Sequence, residues 1–543
     1  MKKILQRIAV LMVIFLIGTA AMNNDKLFEI SKNIEIYVKV YKELNRGYVD
    51  DIDPSELMRV GLDAMVGSLD PYTNYISESQ IESYRLTEDG TYKGIGANLD
   101  VIDGAITVIE PFDGSPARKA GIRAGDQIIN VNGLSTEGRS VEDFDRVVRG
   151  VPGTEVNLTL KKAITGDIEE VKLVRSSVVQ DNVPYYGMVK DGVGYIILTT
   201  FTADASKNIA KALVELKKEN ADLKGIILDL RFNGGGLLRE AIAVSNIFIP
   251  KGLEVVSTRG KVEDRDQTYR TMNTPVDLDI PVAVLINKRS ASASEIVSGV
   301  IQDYDRGVLI GQRSFGKGLV QNTVNIAYNN RVKLTTSKYY IPSRRCIQSV
   351  EYDDGEPVDI PDDRRSKFKT RNGRVVLDGG GVTPDIKMPE PEDTPLIKAL
   401  KEQYIIFKYV NQYIDGRDSI TDLDNYTFPD YDDFAKFVSD QSFEYKTNTE
   451  QHILKAKESL SDEFNDQKIS PAFANLMDQI NKEKESAFID EKDDIVKEIE
   501  KEIVSRYFAQ SGRIKFSLLN DSEVLEAVNV LNDPSRYQQL LGY

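Results

Sequence analysis

One cysteine and one histidine serve a chain of 543 residues, and each scarcity removes chemistry. Cys346, being alone, cannot form an intramolecular disulfide. A zinc site of the usual His and Cys type lacks ligands. A Ser-His-Asp triad would have to use His452, which sits in a charged, helix-forming region far from the serine-rich stretch described below. Positive charge is short too: 69 Lys and Arg face 85 Asp and Glu, a net charge of −16. A nucleic-acid partner needs a basic face, so none is expected. The acidic surplus implies a solvated surface. Hydrophobic residues, at 41%, can supply real cores for several domains.

The N-terminus carries Lys2, Lys3 and Arg7 ahead of an apolar run over residues 8–22. That pattern is an export signal. The run is short for a membrane span, which needs about 20 residues. Gly18-Thr-Ala-Ala21 is small, yet no A-x-A cleavage site stands out and no lipobox cysteine is present. Residues 1–24 are therefore expected to be a signal peptide or a retained anchor. Export without a disulfide points to the bacterial envelope, with the protein in the periplasm or anchored facing it.

Two stretches carry chemistry. Residues 282–286 read as a short buried strand, Asn287-Lys-Arg-Ser290 as a turn, and 292–303 as a helix with Ile296, Val297, Val300 and Ile301 on one face. This junction puts a serine hydroxyl at a helix N-terminus, where free N–H groups can bind a developing oxyanion. Ser292-Ala-Ser-Glu295 is equally a capping box. Downstream, Ser314-Phe-Gly-Lys-Gly-Leu-Val-Gln321 sets a lysine between two glycines. If a strand over 319–326 continues from Lys317, then Lys317 and Gln321 share a face. If Ser292 is a nucleophile, the scarcity of histidine makes Ser-Lys the recognised alternative to a histidine base.

Ser290-Ala-Ser-Ala-Ser-Glu295 and Phe-Gly-Lys-Gly-x-x-Gln, with Lys317 25 positions after Ser292, resemble the carboxy-terminal processing peptidases of family S41, similar to tail-specific proteases. The resemblance spans about residues 30–390, including Leu69-Asp-Pro-Tyr72. It implies that Ser292 is the nucleophile, Lys317 the general base and Gln321 its support. Arg231-Phe-Asn-Gly-Gly-Gly-Leu237 follows a strand over 225–230. It looks like a phosphate loop, but no Gly-Lys-Ser/Thr follows. Its glycines also suit a tight turn. The resemblance implies that Gly235 N–H is one oxyanion donor and Ala293 N–H the other. Lys317 would have to be neutral to take a proton, which requires burial with no carboxylate close by. No metal, nucleotide or other cofactor is expected.

Gly114-Ser-Pro-Ala-Arg-Lys-Ala-Gly-Ile-Arg-Ala-Gly-Asp126, strands over 106–109, 128–131 and 156–160, a turn at Asn132-Gly133 and a helix over 141–148 resemble a PDZ domain. Gly94, Ile95 and Gly96 match its carboxylate-binding loop, beside which a substrate C-terminus would add as a strand. Phe144, Val147 and Val148 would line that pocket or face the core.

The expected fold is multidomain α/β: an N-terminal helical region (25–89), a PDZ domain (90–178), an α/β S41 peptidase core (179–389) and a helical C-terminal extension (390–543). Within the core, the charged residues 351–374 read as a mobile loop. The extension reads as helices over 396–410 and 454–464 and a stripe of Ile495, Ile499, Ile503 and Tyr507. It would be a helical cap, a self-association bundle or a docking surface for an adaptor, with His452 on the surface. The expected function is a serine endopeptidase acting on proteins held by their C-termini; the alternative is a non-catalytic PDZ scaffold.

Overall fold

The computed structural model describes residues 26–81, 91–179, 181–348, 352–353, 356–358, 360–417, 419–420, 423, 426–463 and 466–543. The expected export signal lies outside them. Among the described residues no helix is long and apolar enough to cross a membrane. The chain divides into two bodies, one reaching to Ile81 and including residues 321–335, the other comprising the rest.

The smaller body holds a helix over residues 26–47 and a second, Pro54–Gly67. The second starts where Asp53 accepts from the N–H groups of Ser55 and Glu56 and Pro54 opens the first turn. The helix stops at Gly67, with Ser68 at its C-cap, three residues before Pro71. Asp70 then folds the chain back, its Oδ1 accepting from Tyr72 N–H and Thr73 N–H, both at 2.8 Å. This region, expected to be helical, also contains a strand, Asn74–Ile76, paired antiparallel with residues 331–333. The chain turns at residues 328–331, with Tyr328 and Asn329 at φ 54° and 57°.

The larger body is built on a six-stranded sheet ordered Tyr186–Met188, Val193–Ile197, Gly225–Asp229, Val282–Ile286, Val308–Gly311 and Ile386–Lys387. All neighbours but the first pair run parallel. The continuous apolar runs follow from burial on both faces. Ile226, Leu228, Val282, Val284 and Ile286 pack with the helices Ala205–Glu219, Leu238–Phe248 and Ala293–Asp303. Ile227, Ala283, Leu285 and Ile310 face the other way, against Val524, Ala527, Val528 and Leu531. The last four belong to the helix Ser522–Leu531, so the end of the extension is a layer of the α/β core rather than a cap outside it.

The break comes inside the long helix Lys492–Leu518. Ala509 leaves helical geometry at φ 51°, ψ −154°. Before it, Ile495, Ile499 and Ile503 bury against Leu396, Leu400, Tyr409, Val410 and Phe434 in a separate helical cluster. After it, Ile514 and Leu518 join the sheet. The expected helix over 396–410 is two, Pro395–Glu402 and Ile405–Tyr413, because Tyr404 takes a left-handed φ of 58°.

The PDZ-like segment is a sheet of Ala97–Ile102, Ala105–Pro111, Gln127–Val131, Leu134–Ser135, Glu155–Lys161 and Ile168–Val174, with the helix Val141–Val148. Asn132 and Gly133, at φ 51° and 85°, make its hairpin turn. Phe144 and Val148 are core residues, packed with Ile95, Ile106, Val108 and Leu158. The described part of 351–374 is not a free loop. Lys367–Lys369 pairs with Val375–Leu377, and buried Arg365 donates to Asp378 O and Gly381 O.

Candidate functional site

Ser292 caps the helix Ala293–Asp303 and stands at φ 56°, ψ −110°. A positive φ at a non-glycine residue is strained and needs surrounding contacts to hold it. Those contacts come from the glycine loop. Asn233 O accepts from Ala291 N–H at 3.0 Å and from Ser294 Oγ at 2.8 Å. Asn233 itself is fixed by its Nδ2, which donates to Leu198 O at 2.7 Å. Gly235 then lies directly on the serine turn. A Cβ there would stand 2.8 Å from Ser292 Cβ and 3.0 Å from Ala293 N, at a φ of 101° that also favours glycine. Ala293 N–H, at the first helical position, has no intrahelical acceptor. Gly235 N–H donates to Asn233 Oδ1 at 2.9 Å.

Lys317 lies in the segment before the strand Leu319–Asn325, so the expected continuation of that strand back to Lys317 does not occur. Its backbone is nevertheless tied to the serine turn twice. Glu295, fully buried, accepts from Ser292 N–H at 2.8 Å and Lys317 N–H at 2.9 Å through Oε2. Through Oε1 it accepts from Ser314 Oγ at 2.6 Å and Gly316 N–H at 2.7 Å. Buried Tyr339 places its hydroxyl on Ser292 O, at 3.1 Å, and on Lys317 O. The structure thus brings Ser292, Ala293, Gly235 and Lys317 together. Gln321 belongs to the smaller body, where its Nε2 donates to Thr335 Oγ1 at 3.2 Å and Thr335 Oγ1 donates to Asp70 Oδ1 at 3.3 Å.

A buried carboxyl, Glu295, sits on the backbone N–H of Lys317. Burial pushes this carboxyl up to about 7, against the pull of its hydrogen bonds from Ser314, Gly316, Ser292 and Lys317. Near neutrality a large share of it is therefore uncharged. Cys346 is no rival nucleophile, since burial pushes its thiol up. His452 is exposed. In the PDZ-like segment Gly94 ends the strand Thr91–Gly94, paired with Ser176–Val179, and Ile95 and Gly96 link it to the strand Ala97–Ile102, held by their carbonyls. Ile95 O accepts from Ala117 N–H at 2.9 Å and Gly96 O from Phe112 N–H at 3.0 Å.

Glu295 was legible only as a capping residue. Its larger role had a signal: a helix of mostly small and apolar residues is buried, so its carboxylates, Glu295 and Asp303, must be satisfied. Tyr339 had none, because its reach to residues 292 and 317 is purely tertiary.

Residues 192–355 match peptidase family S41, residues 108–162 a PDZ domain, and residues 396–531 the C-terminal helical domain of PDZ-proteases. A carboxy-terminal-processing protease of Bartonella bacilliformis is 34% identical over 321 residues, 59% of this chain and 73% of that protein. The carboxy-terminal processing protease CtpA of Bacillus subtilis is 34% identical over 327 residues, 60% of this chain and 68% of its own. Among solved structures, the photosystem II D1 C-terminal processing protease aligns at 24% identity and a TM-score of 0.37, covering 69% of this chain and 96% of that one.

Proposed function

The chain belongs to peptidase family S41, the carboxy-terminal processing serine proteases, and on that premise we propose that it is an envelope endopeptidase using a Ser-Lys dyad. The observation that carries the dyad is the double tie of residues 292 and 317 through Glu295 and Tyr339. Ser292 Oγ attacks the scissile carbonyl while the Lys317 amine takes its proton. Ala293 N–H and Gly235 N–H receive the oxyanion, the latter after exchanging its bond to Asn233 Oδ1. Collapse breaks the peptide bond, and the lysine returns the proton to the leaving amine. Water, deprotonated by the same lysine, then attacks the acyl-enzyme ester; the bond to Ser292 Oγ breaks, the lysine returns the proton to that oxygen, and the acid product leaves. The likeness of the motif to the family's assigns Gln321 the support of that amine. The substrate is a protein whose C-terminal carboxylate docks at Gly94, Ile95 and Gly96 and whose tail adds as a strand. The apolar run over 8–22 directs export to the envelope.

The test uses protein lacking residues 1–24, its Ser292→Ala and Lys317→Ala variants, and an unfolded protein ending in an apolar tail. Fragments are followed by mass spectrometry. Cleavage by the parent and by neither variant is expected. Turnover by Lys317→Ala would sink the dyad. Tail binding without cleavage or acylation by the parent would leave a peptide-binding scaffold.

A further inference from the structure

The extension reaches the catalytic loops at one buried carboxylate. Glu523, 2% exposed, opens the helix Ser522–Leu531, which Asp521 caps by accepting from Glu523 N–H and Val524 N–H. Its Oε2 accepts from Arg231 Nη1 at 2.6 Å, and its Oε1 accepts from Gln312 Nε2. These partners begin the two loops that the proposed chemistry needs.

Arg231 is the first residue of the glycine loop. Its other guanidinium nitrogens grip Asp229, with Nε at 3.0 Å and Nη2 at 2.6 Å, and Tyr195 OH closes the cluster on Asp229 Oδ2 at 2.7 Å. Asp521 Oδ2 adds a second acceptor for Nη1 at 2.8 Å. From Arg231 the chain runs through Phe232, strained at φ 61°, to Asn233 and Gly235. Gln312 is two residues before Ser314, whose hydroxyl meets Glu295. Its amide is oriented by Met388 O and Pro389 O, at 3.3 Å and 3.2 Å.

We propose that Glu523 is a positioning residue for the peptidase reaction, fixing the oxyanion loop through Arg231 and the lysine segment through Gln312. Glu523 touches no substrate; it sets the spacing between the two loops. A carboxylate is required because each oxygen accepts from a different donor. An amide at 523 offers one acceptor oxygen and turns its NH2 toward Arg231 or Gln312, both donors. Misplacement of an oxyanion donor acts on the transition state rather than on the ground state. This inference rests on the peptidase reading above.

The experiment compares the parent with Glu523→Gln and with Gln312→Ala, which breaks the lysine-side arm alone. Steady-state cleavage of a tailed substrate, inhibition by a peptidyl boronate, tail-peptide binding and near-UV circular dichroism are recorded. The expected result is a fall in kcat of about 10-fold or more for Glu523→Gln, with KM held within about two-fold. Boronate affinity should fall in parallel, while tail binding and the spectrum stay as in the parent. Gln312→Ala should lower kcat less, again without moving KM. If Glu523→Gln does not fold, Gln312→Ala and Asp521→Asn carry the test. A parent that cleaves while the folded variants match its kcat overturns this inference alone. So does a loss of kcat that only tracks loss of folded protein. A parent that cleaves nothing overturns the peptidase reading and this inference with it.

Discussion

The two halves of the C-terminal extension bury their apolar faces in different places. The first half, with the helices Pro395–Glu402 and Ile405–Tyr413, closes on its own core around Tyr409, whose ring meets those of Phe428, Phe434 and Phe437 at 5.1–5.9 Å. It meets the PDZ-like sheet through polar contacts: Lys408 with Asp103 at 2.8 Å and Tyr404 with Asp100. The second half has no core of its own and completes the peptidase sheet. Leu531 presses on it so closely that a Cβ at Gly225 would come within 3.0 Å of that side chain. Solvated ion pairs exchange readily with water, whereas a buried apolar face and a buried carboxylate cannot. The first contact is therefore expected to cost less to open than the second.

The sharpest way to break this contrast is Leu531→Asp. It removes a buried side chain and inserts an unpaired charge, so a loss of at least about 4 kcal/mol is expected. Urea unfolding should show the peptidase core failing with the helix; an intact core would mean the second half is dispensable.

Ile499→Ala, in the first half, should cost about 2–4 kcal/mol, confined to the helical cluster. Hydrogen exchange would rise over 395–507 while covalent labelling of Ser292 persists. Loss of labelling would erase the distinction.

Glu295, buried beneath the Ser292 turn, adds a pH signature. Its carboxyl titrates near 4.5 in the unfolded chain and about 7 when folded. Between those values the folded state holds a proton that the unfolded state has released. Stability therefore falls as pH rises through that window, by about 3 kcal/mol at most. Glu295→Gln should flatten the dependence. It should also lower kcat about 100-fold, because an amide cannot accept from all of the N–H and hydroxyl donors that converge there.

The smallest effect belongs to Lys408→Ala. Asp103 is exposed, so the pair is worth well under about 1 kcal/mol. Global melting should not move. Limited proteolysis between the PDZ-like segment and the helices should speed up, and less so in high salt, where the parent's own ion pairs are already screened.

The sequence by itself determined the α/β core, through short apolar runs alternating with amphipathic helices, and the PDZ-like segment, through its turn residues and alternating strands. It also determined the pairing of Ser292 with Lys317 as candidates, because histidine is so scarce and the two motifs are local. It could not decide which face each extension helix covers. The stripe at Ile495, Ile499 and Ile503 is local, but the switch at Ala509 from one core to another leaves no mark in composition. Nor could it show that Glu295, Tyr339 and Glu523 meet loops distant in sequence. Such contacts arise only when parallel strands bring successive loops to one edge of the sheet. A buried carboxylate must then find its donors among whatever backbone the fold delivers there.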